Sequence, residues 1–91
     1  MTYMKLQFDP AKARSNLKKH DVCFADAEGV FYDPLAIHKE DPYSENEDRW
    51  IAVGMGNTNE ILVVVYTLRG DEIRRISVRR ATGREVKAYE G

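Results

Sequence analysis

The chain has 91 residues, 43% of them hydrophobic and 32% charged, and carries a formal net charge of −1. That length and balance predict a single domain over residues 1–91 and exclude both a disordered polyampholyte and a polycation. The longest apolar run, Ile61 to Tyr66, is too short to cross a bilayer. The N-terminus lacks the basic segment and apolar run of a secretory signal. Cys23 is the only cysteine, so no internal disulfide can form, and no Cys/His cluster has metal-ligand spacing. These features predict a cytoplasmic protein with no metal or other cofactor and no membrane partner.

The near-neutral total hides a division. Residues 1–60 hold 7 Lys/Arg against 11 Asp/Glu, whereas residues 61–91 hold 7 against 4. A basic patch is therefore expected in the C-terminal third, and an acidic one around Glu40, Asp41, Glu45, Glu47 and Asp48.

Lys5 to Phe8 fits a short edge strand. Asp9-Pro10 then opens a helix to about Lys19, with Asp as the cap and Pro at the first helical position. Ala13 and Leu17 supply a thin apolar stripe. A second helix is predicted from about Phe24 to Phe31, where Phe24, Ala27 and Phe31 share one face. Asp33-Pro34 ends it, because the residue before proline avoids the helical region. The polar stretch from His38 to Asp48 reads as a solvated loop. Three strands follow: Arg49–Met55, Ile61–Leu68 and Ile73–Arg80, joined by tight turns. The middle one is apolar on both faces, as expected of a central strand. Thr82-Gly83-Arg84-Glu85 fits a capping box opening a short C-terminal helix. The fold class expected is α+β: a three- to four-stranded antiparallel sheet, two N-terminal helices packed together on one face, and the helices as a set grouped on that face.

The chemistry concentrates late in the chain. Arg74, Arg75, Arg79, Arg80 and Arg84 lie on the last strand and at the start of the last helix. Guanidinium groups can clamp phosphate oxygens bidentately. Equally, charges on a strand edge block sheet-to-sheet pairing, and on charge alone that is the simpler account. His20 closes the first helix, where a cation suits the dipole and where a histidine could also transfer protons. His38 has no evident partner and reads as surface. Glu47 and Arg49 share a face as an ion pair or as a general base beside its anchor. Tyr66, Phe8, Phe24, Phe31 and Trp50 read as core, and Cys23 as a small buried or capping residue.

Taken in order, several stretches resemble the BrnT family of type II toxins, which is similar in fold to RelE and ParE toxins. They are Phe8-Asp9-Pro10-Ala11-Lys12, Asn16-Leu17-Lys18-Lys19-His20-Asp21-Val22, Phe24 with Ala27, and Val30-Phe31-Tyr32-Asp33-Pro34-Leu35. Further on come Glu47-Asp48-Arg49, Leu62-Val63-Val64-Val65-Tyr66-Thr67, Ile73-Arg74, and Ile76-Ser77-Val78-Arg79-Arg80-Ala81-Thr82. Glu85 and Tyr89-Glu90 close the match. The chain departs from the family pattern at Cys23, where a serine cap is common, and at Arg75, where an apolar residue is common.

The resemblance implies a ribonuclease that slows translation, a BrnA-like antitoxin that neutralises it, and a complex that represses its own operon through the antitoxin's contact with operator DNA. It places the family's polar positions on Lys19, His20, Glu47, Arg49, Arg74, Ser77 and Arg79. Metal-free cleavage is the chemistry expected, because RNA carries its own nucleophile in the 2′-OH. Such an enzyme must remove that proton, stabilise charge on phosphorus and protonate the leaving oxygen. Arg79 and Arg74 are the candidates for charge stabilisation, and His20 and Glu47 for proton transfer. Lys19, Arg49, Ser77, Arg80 and Arg84 are the candidates for holding RNA. Regular alternation puts Arg74 and Arg79 on opposite faces, so a twist or bulge is needed to bring both to one substrate. A different class of function also fits: a non-catalytic module that acts by binding a protein target, as ParE-like toxins do with gyrase, or an inactive homologue.

Overall fold

The structure, a computed structural model, describes residues 5–43 and 48–91. Chain order is β1 (Lys5–Phe8), α1 (Pro10–His20), a 3-10 helix (Phe24–Tyr32), β2 (Ile37–Glu40), β3 (Arg49–Met55), β4 (Ile61–Arg69), β5 (Glu72–Arg80) and α2 (Gly83–Glu90). The described strands form one five-stranded sheet in the order β1-β5-β4-β3-β2. The expected sheet of three or four antiparallel strands is thus corrected to a mixed one. β1 lies parallel to β5, and β2 adds to β3 from within the stretch expected to be loop. β2 escapes sequence reading because all four of its residues are exposed, so no apolar alternation marks it.

The sheet has two differently covered faces. One carries Ala52 and Gly54 of β3, Leu62, Val64 and Tyr66 of β4, and Ile73 and Val78 of β5. The 3-10 helix packs here, inserting Phe24, Ala27 and Val30 into the core. The contact is close: a Cβ on Gly54 would come within 2.9 Å of the Ala36 Cβ and 3.1 Å of Val30 Cγ1. Only glycine lets strand and helix approach this far. The segment predicted as an α-helix over 24–31 is a 3-10 helix of nine residues, a tighter winding than apolar spacing alone distinguishes.

The other face carries Ile37, Ile51, Val53, Val63 and Val65, and α2 lies over part of it, contributing Glu85 and Ala88. The helices are therefore not grouped on one face. Within α2 no side chain is buried, and two polar clasps hold it instead. At one end Arg79 forks onto Glu85. At the other, the Tyr89 hydroxyl donates to Asp33 Oδ2 at 2.6 Å.

α1 is anchored by a single side chain. Asn16 is buried, and its amide donates to the carbonyls of Val22 and Val78 and accepts from the Val78 N–H. β1 covers the edge of β5 only along Glu72 to Arg75; beyond it, the Asn16 amide satisfies β5 as a strand neighbour would. Ala13 packs on the core, whereas Leu17, expected beside it, is 44% exposed.

Other expectations also change. Phe8 is 41% exposed because β1 is an edge strand. Cys23 is exposed, and at the N-cap position it makes no side-chain capping bond. His38 is not an isolated surface residue: its Nδ1 lies 2.8 Å from the Tyr66 hydroxyl. Arg75, expected in a solvated basic run, is 4% exposed. Its Nη1 donates to the Phe24 carbonyl at 2.8 Å, and its guanidinium stacks on the Phe8 ring. We expect Arg75→Met, which keeps the stem but leaves that buried carbonyl without a donor, to cost about 1–3 kcal/mol of stability. Urea denaturation measures the loss; an unchanged midpoint would show that the bond contributes nothing.

Candidate functional site

The decisive local feature is an irregularity in β5. Val65 pairs with Ser77, but its neighbour Tyr66 pairs with Arg75, which leaves Ile76 as an extra residue on β5. A bulge of this kind reverses which side chains face which way on either side of it. Arg74, opposite Thr67, therefore lies on the same face as Ser77 and Arg79. In an unbroken strand Arg74 would point away from both. The β4 partners of the two arginines, Thr67 and Val63, are four residues apart, about 13 Å at 3.3 Å per residue. The arginines thus flank Ser77 on one face and do not close on a single atom.

Around Ser77 the surface is continuous. A cleft of about 180 Å³ between α1 and β5 is lined by Lys12, Ser15, Asn16, Lys19, His20, Ile76 and Ser77. A second, of about 240 Å³, contains Asp9, Lys12, Arg49, Thr67, Arg69 and Arg74. Lys12 and Ile76 belong to both. A third cleft of about 200 Å³, under α2, is lined by Ser77, Arg79 and Glu85 over an apolar floor. The cations come from five elements: α1 presents Lys12 and Lys19, with His20 beside them, β2 presents Lys39, β3 Arg49, β4 Arg69, and β5 Arg74, Arg75 and Arg79. Arg49 and Arg74 face Thr67 from either side, and the Arg49 Nε is buried with no hydrogen-bond partner among the described residues.

Arg79 is engaged. Nη1 and Nη2 donate to the two oxygens of Glu85, each at 2.8 Å. Glu85 also closes the capping box, accepting from the Thr82 N–H at 2.8 Å. The Arg79 guanidinium foremost, with the Thr82 N–H, holds the Glu85 carboxyl down at about 2, against an ordinary value of 4.5. Arg79 is correspondingly held above its usual range by Glu85. A carboxyl depressed in the folded state contributes stability above its unfolded pKa, and that stability is lost as pH falls through the folded one. We therefore expect an acid limb between about pH 4.5 and 2, flattened in Glu85→Gln. Chemical denaturation at stepped pH reads it directly.

The remaining candidates separate. Arg80 is committed to structure: Nε pairs with Glu60 at 2.9 Å, and Nη1 and Nη2 reach the carbonyls of His20 and Asp21 at the end of α1. That is a favourable place for a cation. Arg84 is exposed on α2 and lines none of the three clefts. Glu47 lies outside the described residues. Among the described residues no three His, Cys, Asp or Glu side chains come together as a metal site. Lys12 was not singled out from the sequence, although its spacing to Lys19 on α1, i to i+7, was a usable signal.

A family model described as "Ribonuclease toxin, BrnT, of type II toxin-antitoxin system" matches residues 8–85. The chain belongs to the BrnT toxin family. A solved structure is similar as well: the 1.1 Å crystal structure of the Brucella abortus ribonuclease toxin BrnT, with 29% identity and a TM-score of 0.68. It covers 88% of this chain and 99% of that one. No curated protein matches the sequence. The BrnT match spans β1's last residue through Glu85 of α2 and so takes in every cleft-lining cation named above. Membership in a type II toxin family also implies a cognate antitoxin partner. No described helix is long and apolar enough to cross a membrane.

Proposed function

We propose that this BrnT toxin is an endoribonuclease that cleaves single-stranded RNA along the β5 face, using the 2′-OH as nucleophile and no metal. The carrying observation is the β5 bulge, which turns Arg74 onto the face of Ser77 and Arg79 beside the Lys12, Lys19 and His20 cleft. The scissile phosphate sits between Ser77 and Arg79, with His20 as a proton-transfer candidate, Lys19 and Lys12 at its side, and Arg74 and Arg49 on the flanking phosphates. Glu47 is retained as the second proton-transfer candidate. The cations supply charge stabilisation through preorganised donors. The low net charge is compatible with this, because Lys12, Lys19, Arg49, Arg74 and Arg79 are gathered along these clefts.

The test is cleavage of a labelled single-stranded RNA by the purified chain in EDTA. Loss of activity in EDTA would overturn the metal-free mechanism, and no cleavage under any condition would favour the non-catalytic binding module. We expect Arg74→Ala to weaken RNA binding about tenfold, as for one lost charge-assisted contact, without loss of helix signal in circular dichroism. An unchanged affinity would remove Arg74 from the site.

The partner we infer is a BrnA-like antitoxin that covers part of this surface and supplies the operator-binding element through which the complex represses its operon. Tyr32, Leu35 and Ile37 are 70%, 69% and 41% exposed around β2, apolar area of the kind a stable partner covers. The acidic residues near Glu45 were expected to guide docking; Glu45 itself lies outside the described residues. Co-expression followed by size exclusion tests the pairing.

A further inference from the structure

Arg79 is, with Arg74, a candidate for charge stabilisation, yet its guanidinium is already occupied. Two of its N–H groups meet the two Glu85 oxygens at 2.8 Å each, and Nη1 also reaches the Arg80 carbonyl at 3.3 Å. A carboxylate presents two oxygens to the guanidinium fork in the geometry that two non-bridging oxygens of a phosphodiester would adopt. The pair is not sealed inside the protein. The Arg79 side chain is 40% exposed and that of Glu85 28%, and both line the cleft under α2, which shares Ser77 with the cleft of Lys12, Lys19 and His20. The helix carrying Glu85 buries no side chain of its own, so a small shift of its first turn requires no repacking of a buried residue.

We propose that Glu85 is a built-in competitor that occupies the seat of an RNA backbone phosphate on Arg79, and that substrate binds there by displacing it. The proposal rests on the RNA reading of this face and adds that the resting molecule holds one of its phosphate contacts closed. Binding exchanges one anion for another at Arg79, so the free protein presents a less positive surface to RNA than its arginine count suggests. Glu85 acts on affinity through Arg79 and does not itself touch the reacting atoms. Its tie to Thr82 makes the exchange a movement of the first turn of α2.

Glu85→Gln isolates this role. Glutamine keeps an oxygen for the Thr82 N–H, so the capping box survives, while the charge that neutralises Arg79 is gone. The probe is a fluorescent single-stranded RNA with 2′-O-methyl sugars, which cannot be cleaved, titrated by anisotropy at several salt concentrations. Glu85→Gln is expected to bind about tenfold tighter. Its plot of log affinity against log salt should steepen by about 0.7, the increment for one more neutralised phosphate on a single strand. In an Arg79→Ala background the same substitution should change neither quantity. Unchanged or weaker binding by Glu85→Gln, an unaltered slope, or an equal gain without Arg79 would each overturn the proposal, as would the absence of any binding by either protein. Failure of the nuclease reading shows separately, as wild-type chain that binds the probe yet leaves 2′-OH RNA intact.

Discussion

Asn16→Ala is expected to lower the folding stability by about 3–5 kcal/mol. The Asn16 amide serves three backbone groups at once: the carbonyls of Val22 and Val78 and the N–H of Val78. Alanine removes all three partners and leaves buried groups that water reaches poorly, at about 1–3 kcal/mol each. Alanine's better helix propensity returns only about 0.5 kcal/mol. A net loss of about 3–5 kcal/mol is large against the roughly 5–15 kcal/mol that holds a domain together. Asn16→Asp should fare as badly, since a carboxylate keeps an acceptor for Val78 N–H but faces two carbonyls with no donor. Urea denaturation and thermal melts measure both. A stability within about 1 kcal/mol of wild type for either variant would mean that α1 is held to β5 by something other than this amide.

Arg79→Ala carries the largest expected effect on activity. Removing one preorganised donor from a charge-developing site costs roughly 10²–10³ in rate in other enzymes, so RNA cleavage should fall by that factor and growth arrest without the antitoxin should disappear. The fold should survive, because the Arg79–Glu85 pair is partly exposed and such pairs contribute about 0–1 kcal/mol. Arg79→Lys should also largely fail, because a point charge cannot replace the bidentate fork. The contrast with Glu85→Gln separates the two possible roles of the pair. If Arg79 only staples α2 to the sheet, breaking the pair from either side should have the same effect on RNA. If Arg79 receives phosphate, the two substitutions should act in opposite directions. A growth assay, a cleavage assay and circular dichroism of each variant decide it; full toxicity of folded Arg79→Ala would remove Arg79 from the site.

What the sequence by itself determined is the local chemistry. Asp9-Pro10 had to open a helix, and the Asp9 side chain does accept from Ala11 N–H. Thr82 and Glu85 had to form a capping box, and both of its bonds are present. Ile61 to Leu68, apolar on both faces, had to be central, and β4 is the middle strand. Each follows from neighbours a few residues apart, where propensity and hydrogen-bond geometry act without the rest of the chain. The ordered motifs were also enough to place the chain in its family.

The tertiary structure alone decided the rest. β1 joins β5 in parallel because a distant strand edge was open to it. β2 forms on an edge with no apolar alternation to announce it, and its partner β3 satisfies its backbone. Arg75 and Arg74 are adjacent and chemically identical, yet one is buried against Phe24 and Phe8 while the other is exposed on the face of Ser77. Arg79 and Arg74 share a face only because Ile76 is left over when β5 pairs with β4. Strand register is a property of two segments together, so the direction of these side chains, and with it the composition of the site, could not be read from β5 alone.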